Sequence, residues 1–301
     1  MAAALPSDLL LDARFLRKLE ALALTSKQLA RGGERGERSA RRAGSGVAFS
    51  THRAYTAGDD FRFVDWKAFA RTDRLYVKQF EEGRDLALHL LLDCSGSMSL
   101  RSAQHGTKLD YAKQLAAALG YIALVNLDCV SVQPYASEPL ARLPPQRGHK
   151  RALVLLRFLA GLNAGGGTSL HAAAKSVRAH AVHGGRALVM TDGLDAEGLL
   201  AGVDSLRYAR LEPAVLLIRD PEDAEPSLHG DVTLIDSESG RERTLTISER
   251  LLARYRTAYR ARALELRSAL RERQVPALEL DLTVPLERTV LDLLRRGGVV
   301  R

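Results

Sequence analysis

Cysteine is nearly missing from this sequence: two residues in 301, Cys94 and Cys129. Two thiols cannot build a disulfide framework or a thiolate metal site. Long hydrophobic runs are missing as well, and no apolar stretch approaches the roughly 20 residues that cross a bilayer. The start, "MAAALPSDLLLDARFLRKLE", has no basic segment ahead of a long apolar core, so it does not read as a signal peptide. A cytoplasmic protein is the simple expectation. Aromatics make up only 5% of the chain, with a single Trp, and internal repeats are absent.

What is present suits a globular fold. Hydrophobic residues make up 46% and charged residues 27%, enough for one large domain or two modest ones. The net charge is +8, much of it from Arg scattered along the chain. The densest basic segment, "RGGERGERSARRAGSG" (31–46), is rich in Gly and Ser and poor in apolar residues, which predicts a loop or a partly disordered stretch. It lacks the interleaved aromatics of a nucleic-acid surface and reads better as a solvated arm or one that docks on an acidic partner.

The opening residues form an amphipathic helix by pattern. Pro6 to Asp8 supply start signals, and Leu9, Phe15, Leu16, Leu19 and Leu22 recur at helical spacing. From about residue 86, strand-like and helix-like segments alternate. Strands are predicted at 86–93, 129–136, 186–192, 213–220 and 276–284, with a short edge strand at 139–143. Helices are predicted at 108–124, 149–160, 169–182 and 286–298, and a long one from Ser248. Leu251, Tyr255, Tyr259, Leu266 and Leu270 are expected to mark the buried stripe of that long helix. Residues 231–247 alternate around Ser-Gly and read as a hairpin insertion.

This alternation predicts an α/β fold: a doubly wound, mostly parallel, Rossmann-like sheet over 86–301, preceded by a helical and loop extension over 1–85. Cys94 and Cys129 would then lie at opposite ends of the sheet, beyond bridging distance. In such sheets ligands bind outside the carboxyl ends of the strands.

Three stretches converge at that end. "LLLDCSGSMS" (90–99) offers Asp93, Ser95 and Ser97 at alternate positions. "NAGGGTSL" (163–170) offers Thr168 after three glycines. "VMTDGLD" closes a strand on Asp192. Two carboxylates and three hydroxyls suit a hard, six-coordinate cation such as Mg²⁺, or Mn²⁺ or Ca²⁺ in its place. The absence of His from all three stretches disfavours zinc. Neutral hydroxyls leave such a cation under-compensated, so an incoming Glu or Asp gains a strong bond.

The order D-x-S-x-S, then Thr, then Asp resembles the metal-ion-dependent adhesion site of a von Willebrand factor A-type domain. Asp93, Ser95, Ser97, Thr168 and Asp192 match it one by one. The resemblance implies that a carboxylate from a partner protein completes the metal shell.

Upstream, "HRAYTAGDDFRFVDWKAFARTDRLYVKQFEEGRDL" (52–86) resembles the signature of the bacterial domain-of-unknown-function 58 family. Arg53, Tyr55, Gly58, Asp59, Asp60, Arg62, Asp65, Trp66, Ala70, Arg71, Leu75, Val77, Phe80, Glu81 and Glu82 carry the match. Arg53, Arg62 and Arg71 beside Asp59, Asp60 and Asp65 are expected to form an ion-pair network. Gly58 suits a tight turn and Trp66 a buried anchor.

Members of that family often sit beside MoxR-type AAA+ ATPases. The resemblance therefore implies a non-catalytic adaptor for such an ATPase or its client. Two alternatives belong to other classes. A Mg²⁺-dependent phosphohydrolase would use Asp93 as nucleophile, but Ser95 stands where a second Asp is expected, and no P-loop or Ser-His-Asp arrangement is visible. Nucleic-acid binding would use the 31–46 arm.

Overall fold

In the computed structural model the described residues are 10, 13–33, 48–56, 59, 64–81, 87–102, 106–137, 140–180 and 184–295. They fall into two units: residues 1–31 with 86–301, and residues 32–85.

In the smaller unit strand β1 (Ala48–Ala54) pairs antiparallel with β2 (Tyr76–Glu81), and helix α2 (Trp66–Thr72) lies between them in sequence. Val64, Ala68 and Val77 are buried. The expected anchor, Trp66, is instead 58% exposed, with its ring edge-to-face on Phe69 at 6.3 Å. Helix α2 turns Ala68 inward, and position 66 lies about 200° round the helix from it. Asp59 and Asp65 serve local turns. Asp59 Oδ2 accepts the Thr56 N–H at 2.8 Å, and Asp65 Oδ1 accepts the Ala68 N–H at 3.1 Å. Gly58, Asp60, Arg62 and the Arg53 side chain lie outside the described residues, as do positions 34–47 of the basic arm.

The larger unit opens on helix α1 (Ala13–Gly33). Leu10, Phe15, Leu19, Leu22 and Ala23 are buried in the same core as the central sheet. The sequence groups this helix with the extension; its packing groups it with the larger unit. Each of the Leu and Phe side chains, taken fully from water, contributes about 1.5–3 kcal/mol.

Strand β3 (Ala87–Asp93) is followed by a 3₁₀ turn (Gly96–Ser99) and two-residue strands β4 (Arg101–Ser102) and β5 (Gly106–Thr107). Then come α3 (Lys108–Val125), β6 (Cys129–Tyr135) and β7 (Leu143–Arg147). Helices α4 (Ala152–Ala160) and α5 (Leu170–His180), strand β8 (Gly185–Thr191), helix α6 (Ala196–Tyr208) and strand β9 (Leu211–Arg219) follow. The hairpin β10 (Gly230–Ile235) and β11 (Glu242–Ile247) leads to α7 (Glu249–Glu272), β12 (Ala277–Asp281) and α8 (Leu286–Arg295).

Six strands form the central sheet in the order β12-β9-β8-β3-β6-β7. All neighbours are parallel except β7, which runs antiparallel to β6 across a bulge between Val130 and Val132. Strand β7 begins where the predicted edge strand ends. It carries Pro144 and Pro145, tolerated because the edge needs only one side to pair.

The pleat divides the core. Leu88, Leu90 and Leu92 face α1, α3, α4 and α8, whereas Leu91 faces α5, α6 and α7. The sheet is thus wound on both faces, as the unbroken apolar strands require. The stripe expected on α7 is corrected. Leu252, Leu266 and Leu270 are buried, but Tyr255 is 42% exposed and donates its hydroxyl to the Asp223 carbonyl at 2.6 Å. The amphipathic spacing there serves a polar anchor as well as packing. Ser248 caps the helix through the Leu251 N–H. Neither cysteine is in a disulfide, and the β3/β6 register puts them at opposite sheet ends. Among the described residues no helix is long and apolar enough to cross a membrane.

Candidate functional site

Strands β3 and β8 are neighbours with Leu92 opposite Met190, so they end side by side on Asp93 and Thr191–Asp192. From β3 the chain moves to β6 on one side and later returns to β8 on the other. Their shared carboxyl end is therefore a switch point, where doubly wound sheets open a crevice.

Asp93 is 2% exposed. Its Oδ1 accepts the Ser95 N–H at 3.0 Å, and its Oδ2 accepts the Thr191 hydroxyl at 2.7 Å. The Thr168 hydroxyl stands 3.4 Å from both oxygens. Ser95 begins the 3₁₀ turn without a side-chain cap bond, and its Oγ lies 3.1 Å from Ser97 Oγ. The alternate spacing thus turns both hydroxyls to one side.

The glycine-rich loop is bound to this turn through backbone. Gly166 accepts the Gly96 N–H at 2.7 Å, and the Gly165 N–H donates to the Cys94 carbonyl at 2.9 Å. The Gly167 carbonyl takes the Ser137 N–H at 2.6 Å. Gly166 has φ +69°, which favours a residue without Cβ. That geometry brings Thr168 beside Asp93.

Asp192 is also 2% exposed, but its surroundings differ. Lys108 Nζ lies 3.2 Å from its Oδ2 and 2.6 Å from Asp223 Oδ2, with the lysine 1% exposed. Lys108 is the first residue of α3, fixed there by a reciprocal cap between Thr107 and Asp110. Burial weighs against its ammonium, yet the Asp192 and Asp223 carboxylates outweigh burial and raise its pKa. Asp192 Oδ1 accepts the Leu194 N–H at 3.1 Å, and its carbonyl takes the Arg219 guanidinium at 2.7 Å.

Among the described residues Asp93 forms no ion pair. Burial pushes its pKa up, against the hydrogen bonds from Ser95 and Thr191, and the nearby Asp192 charge adds to the rise. Tyr135 lies against it, its phenol held neutral by burial first and then by the Asp93 charge.

All five residues expected from sequence therefore sit at one sheet edge, and the donor set fits a hard cation. Two carboxylates and three hydroxyls converge, and one buried carboxylate has no cation partner among the described residues. Sequence reasoning missed Thr191, Lys108 and Asp223. Thr191 had a signal, since it ends the strand beside Asp93 and shares its face. Lys108 had none, lying 84 residues from Asp192.

A cavity of about 950 Å³ opens over this edge, lined by Ser97, Thr168, Leu194, Glu238 and Arg262 among others. Its rim includes the tip of the β10–β11 hairpin.

Comparison with known proteins agrees with the family resemblance. Residues 51–267 match the family described as Protein of unknown function DUF58. An uncharacterized protein of Mycobacterium tuberculosis, Rv1480, is 28% identical over 272 residues, covering 89% of this chain and 85% of that protein. Among solved structures, the conserved hypothetical protein BatB from Bacteroides thetaiotaomicron aligns with a TM-score of 0.44 at 15% identity, over 70% of this chain and 99% of that one. The SpRpn10 VWA domain aligns with a TM-score of 0.41 at 10% identity, over 69% and 94%. Likenesses at this level add nothing to the topology described above. The chain belongs to the DUF58 family.

Proposed function

We propose that this member of the DUF58 family is a non-catalytic, divalent-metal-dependent adaptor that binds protein partners, a MoxR-type AAA+ ATPase among them. Magnesium, or manganese or calcium, would be held by Asp93, Ser95, Ser97, Thr168 and Asp192. A Glu or Asp of the partner would complete the shell. The ion would supply a directional, Lewis-acidic anchor for that carboxylate.

The observation that carries the reading is the convergence of those five side chains at the β3/β8 switch point, with Asp93 buried and, among the described residues, unpaired by any cation. Arg241, Arg243 and Arg262 on the cavity rim favour an acidic visitor. The surrounding groups are poor reagents. Cys94 is 1% exposed, and burial, then the Asp93 charge, push its thiol up to about 12. A phosphohydrolase would need Asp93 as nucleophile, yet its Oδ2 is bound to the Thr191 hydroxyl at 2.7 Å.

The test is calorimetric titration of Mg²⁺ into wild type and Asp93→Ala. Binding by wild type and none by the variant is expected; equal binding sinks the assignment. Co-purification of the organism's MoxR-type ATPase, abolished by chelator, tests the adaptor role.

A further inference from the structure

The β10–β11 hairpin carries a carboxylate to the rim of the same crevice. Its tip is a fixed turn. Asp236 Oδ1 accepts the N–H groups of Glu238 and Ser239 at 2.9 and 2.7 Å. The Asp236 N–H donates to the Arg241 carbonyl at 2.9 Å, and Gly240 takes φ +68°. The tip is also seated. A Cβ on Gly96, between the two serines, would come within 2.1 Å of the Ser237 carbonyl oxygen. A Cβ on Gly167, next to Thr168, would lie 3.5 Å from Glu238 Oε2. Glu238 therefore stands at the mouth of the site, with Ser97 and Thr168 on the same cavity wall.

Among the described residues the Glu238 carboxylate has no ion pair. Asp93, Asp192 and Glu238 do not close into a three-carboxylate cluster. Like charge surrounds the glutamate. Burial raises its pKa first, and the Asp93 and Asp192 charges raise it further. A divalent cation between them would reverse that repulsion into attraction.

We propose that Glu238 is the site's own carboxylate in cis: with a cation bound, the hairpin tip places Glu238 in the coordination position that a partner's Glu or Asp must take. The inference rests on the metal-site reading above. It makes the hairpin an internal competitor. A partner gains the position only by displacing Glu238, so a weak acidic peptide fails where a large interface succeeds. The basic residues on the rim, Arg241 and Arg243, would then receive the displaced glutamate or the arriving acid.

Manganese titration by calorimetry, with water-proton relaxation of the bound ion, tests this on the full chain. Glu238→Gln is at an exposed hairpin tip and leaves the core intact. It is expected to weaken Mn²⁺ binding about tenfold and to add a water to the ion's shell. Acetate should then reduce that water signal in Glu238→Gln at concentrations that leave wild type unchanged. Unaltered affinity and relaxation in Glu238→Gln, with binding lost in Asp93→Ala, overturns the cis ligand and leaves the metal site standing. Wild-type binding by Asp93→Ala overturns both.

Discussion

The two ends of the central sheet treat charge in opposite ways. Where β8 and β9 begin, Arg186 meets Glu212 at 3.3 Å, with the glutamate side chain 78% exposed. Where β3 and β8 end, Asp93, Asp192 and Lys108 are 2%, 2% and 1% exposed. That pair gains little, because water screens and solvates the glutamate, although the arginine side chain is only 22% exposed. A buried set costs several kcal/mol of desolvation per ion and survives only when partners over-determine it. The carboxyl edge is so provided: Lys108 bridges two carboxylates, and Thr191 and the Ser95 N–H hold Asp93. Charge buried on those terms costs stability that an apolar strand end would have kept.

That contrast can be broken by substitution. The largest effect belongs to Lys108→Met, which leaves the buried Asp192 carboxylate uncompensated. We expect a loss of about 3–5 kcal/mol in urea unfolding. A loss below about 1 kcal/mol would mean that Lys108 does not offset the buried acids. Next is a chemical contrast. Cys94 at the carboxyl edge is buried, whereas Cys129 at the other end is half-buried. Peptide mapping after iodoacetamide treatment should show Cys129 alkylated about a hundredfold faster. Comparable rates would show that the carboxyl edge opens freely. Thr191→Val removes one donor from a buried carboxylate and should cost about 1–3 kcal/mol. In an Asp93→Asn background the same change should cost less, and a strictly additive pair would sever the contact. Smallest is Glu212→Gln at the opposite end, expected within about 0.5 kcal/mol of wild type.

Much of this architecture is legible in the sequence because its signals are local. "LALHLLLD" is apolar at successive positions, so it demands cover on both faces, and α1, α3 and α5 to α7 supply it. The D-x-S-x-S turn is legible for the same reason, since three site residues follow one strand end. The contributions that escaped come through tertiary contact. Lys108 reaches Asp192 only after β3, α3 and β8 have packed, and no spacing rule joins them. The hairpin was visible as alternation around Ser-Gly, but its seating depends on the missing Cβ of Gly96. Trp66 misled because aromaticity predicts burial on average, whereas the short helix around it turned a smaller residue inward. The edge strand was displaced along the chain because two prolines argue against pairing until an outermost position makes their missing N–H groups harmless.

Those prolines do more than tolerate the border. An outermost strand offers its free N–H and C=O groups to any passing extended chain, which is how sheets join end to end and aggregate. Pro144 and Pro145 have no N–H to offer, and they lie within the register shift, where the regular ladder is interrupted. On that side a seventh strand would find two of five N–H groups missing. The flank farthest from β12 is thereby a poor template for an extended chain, whatever binds at the carboxyl ends of the strands.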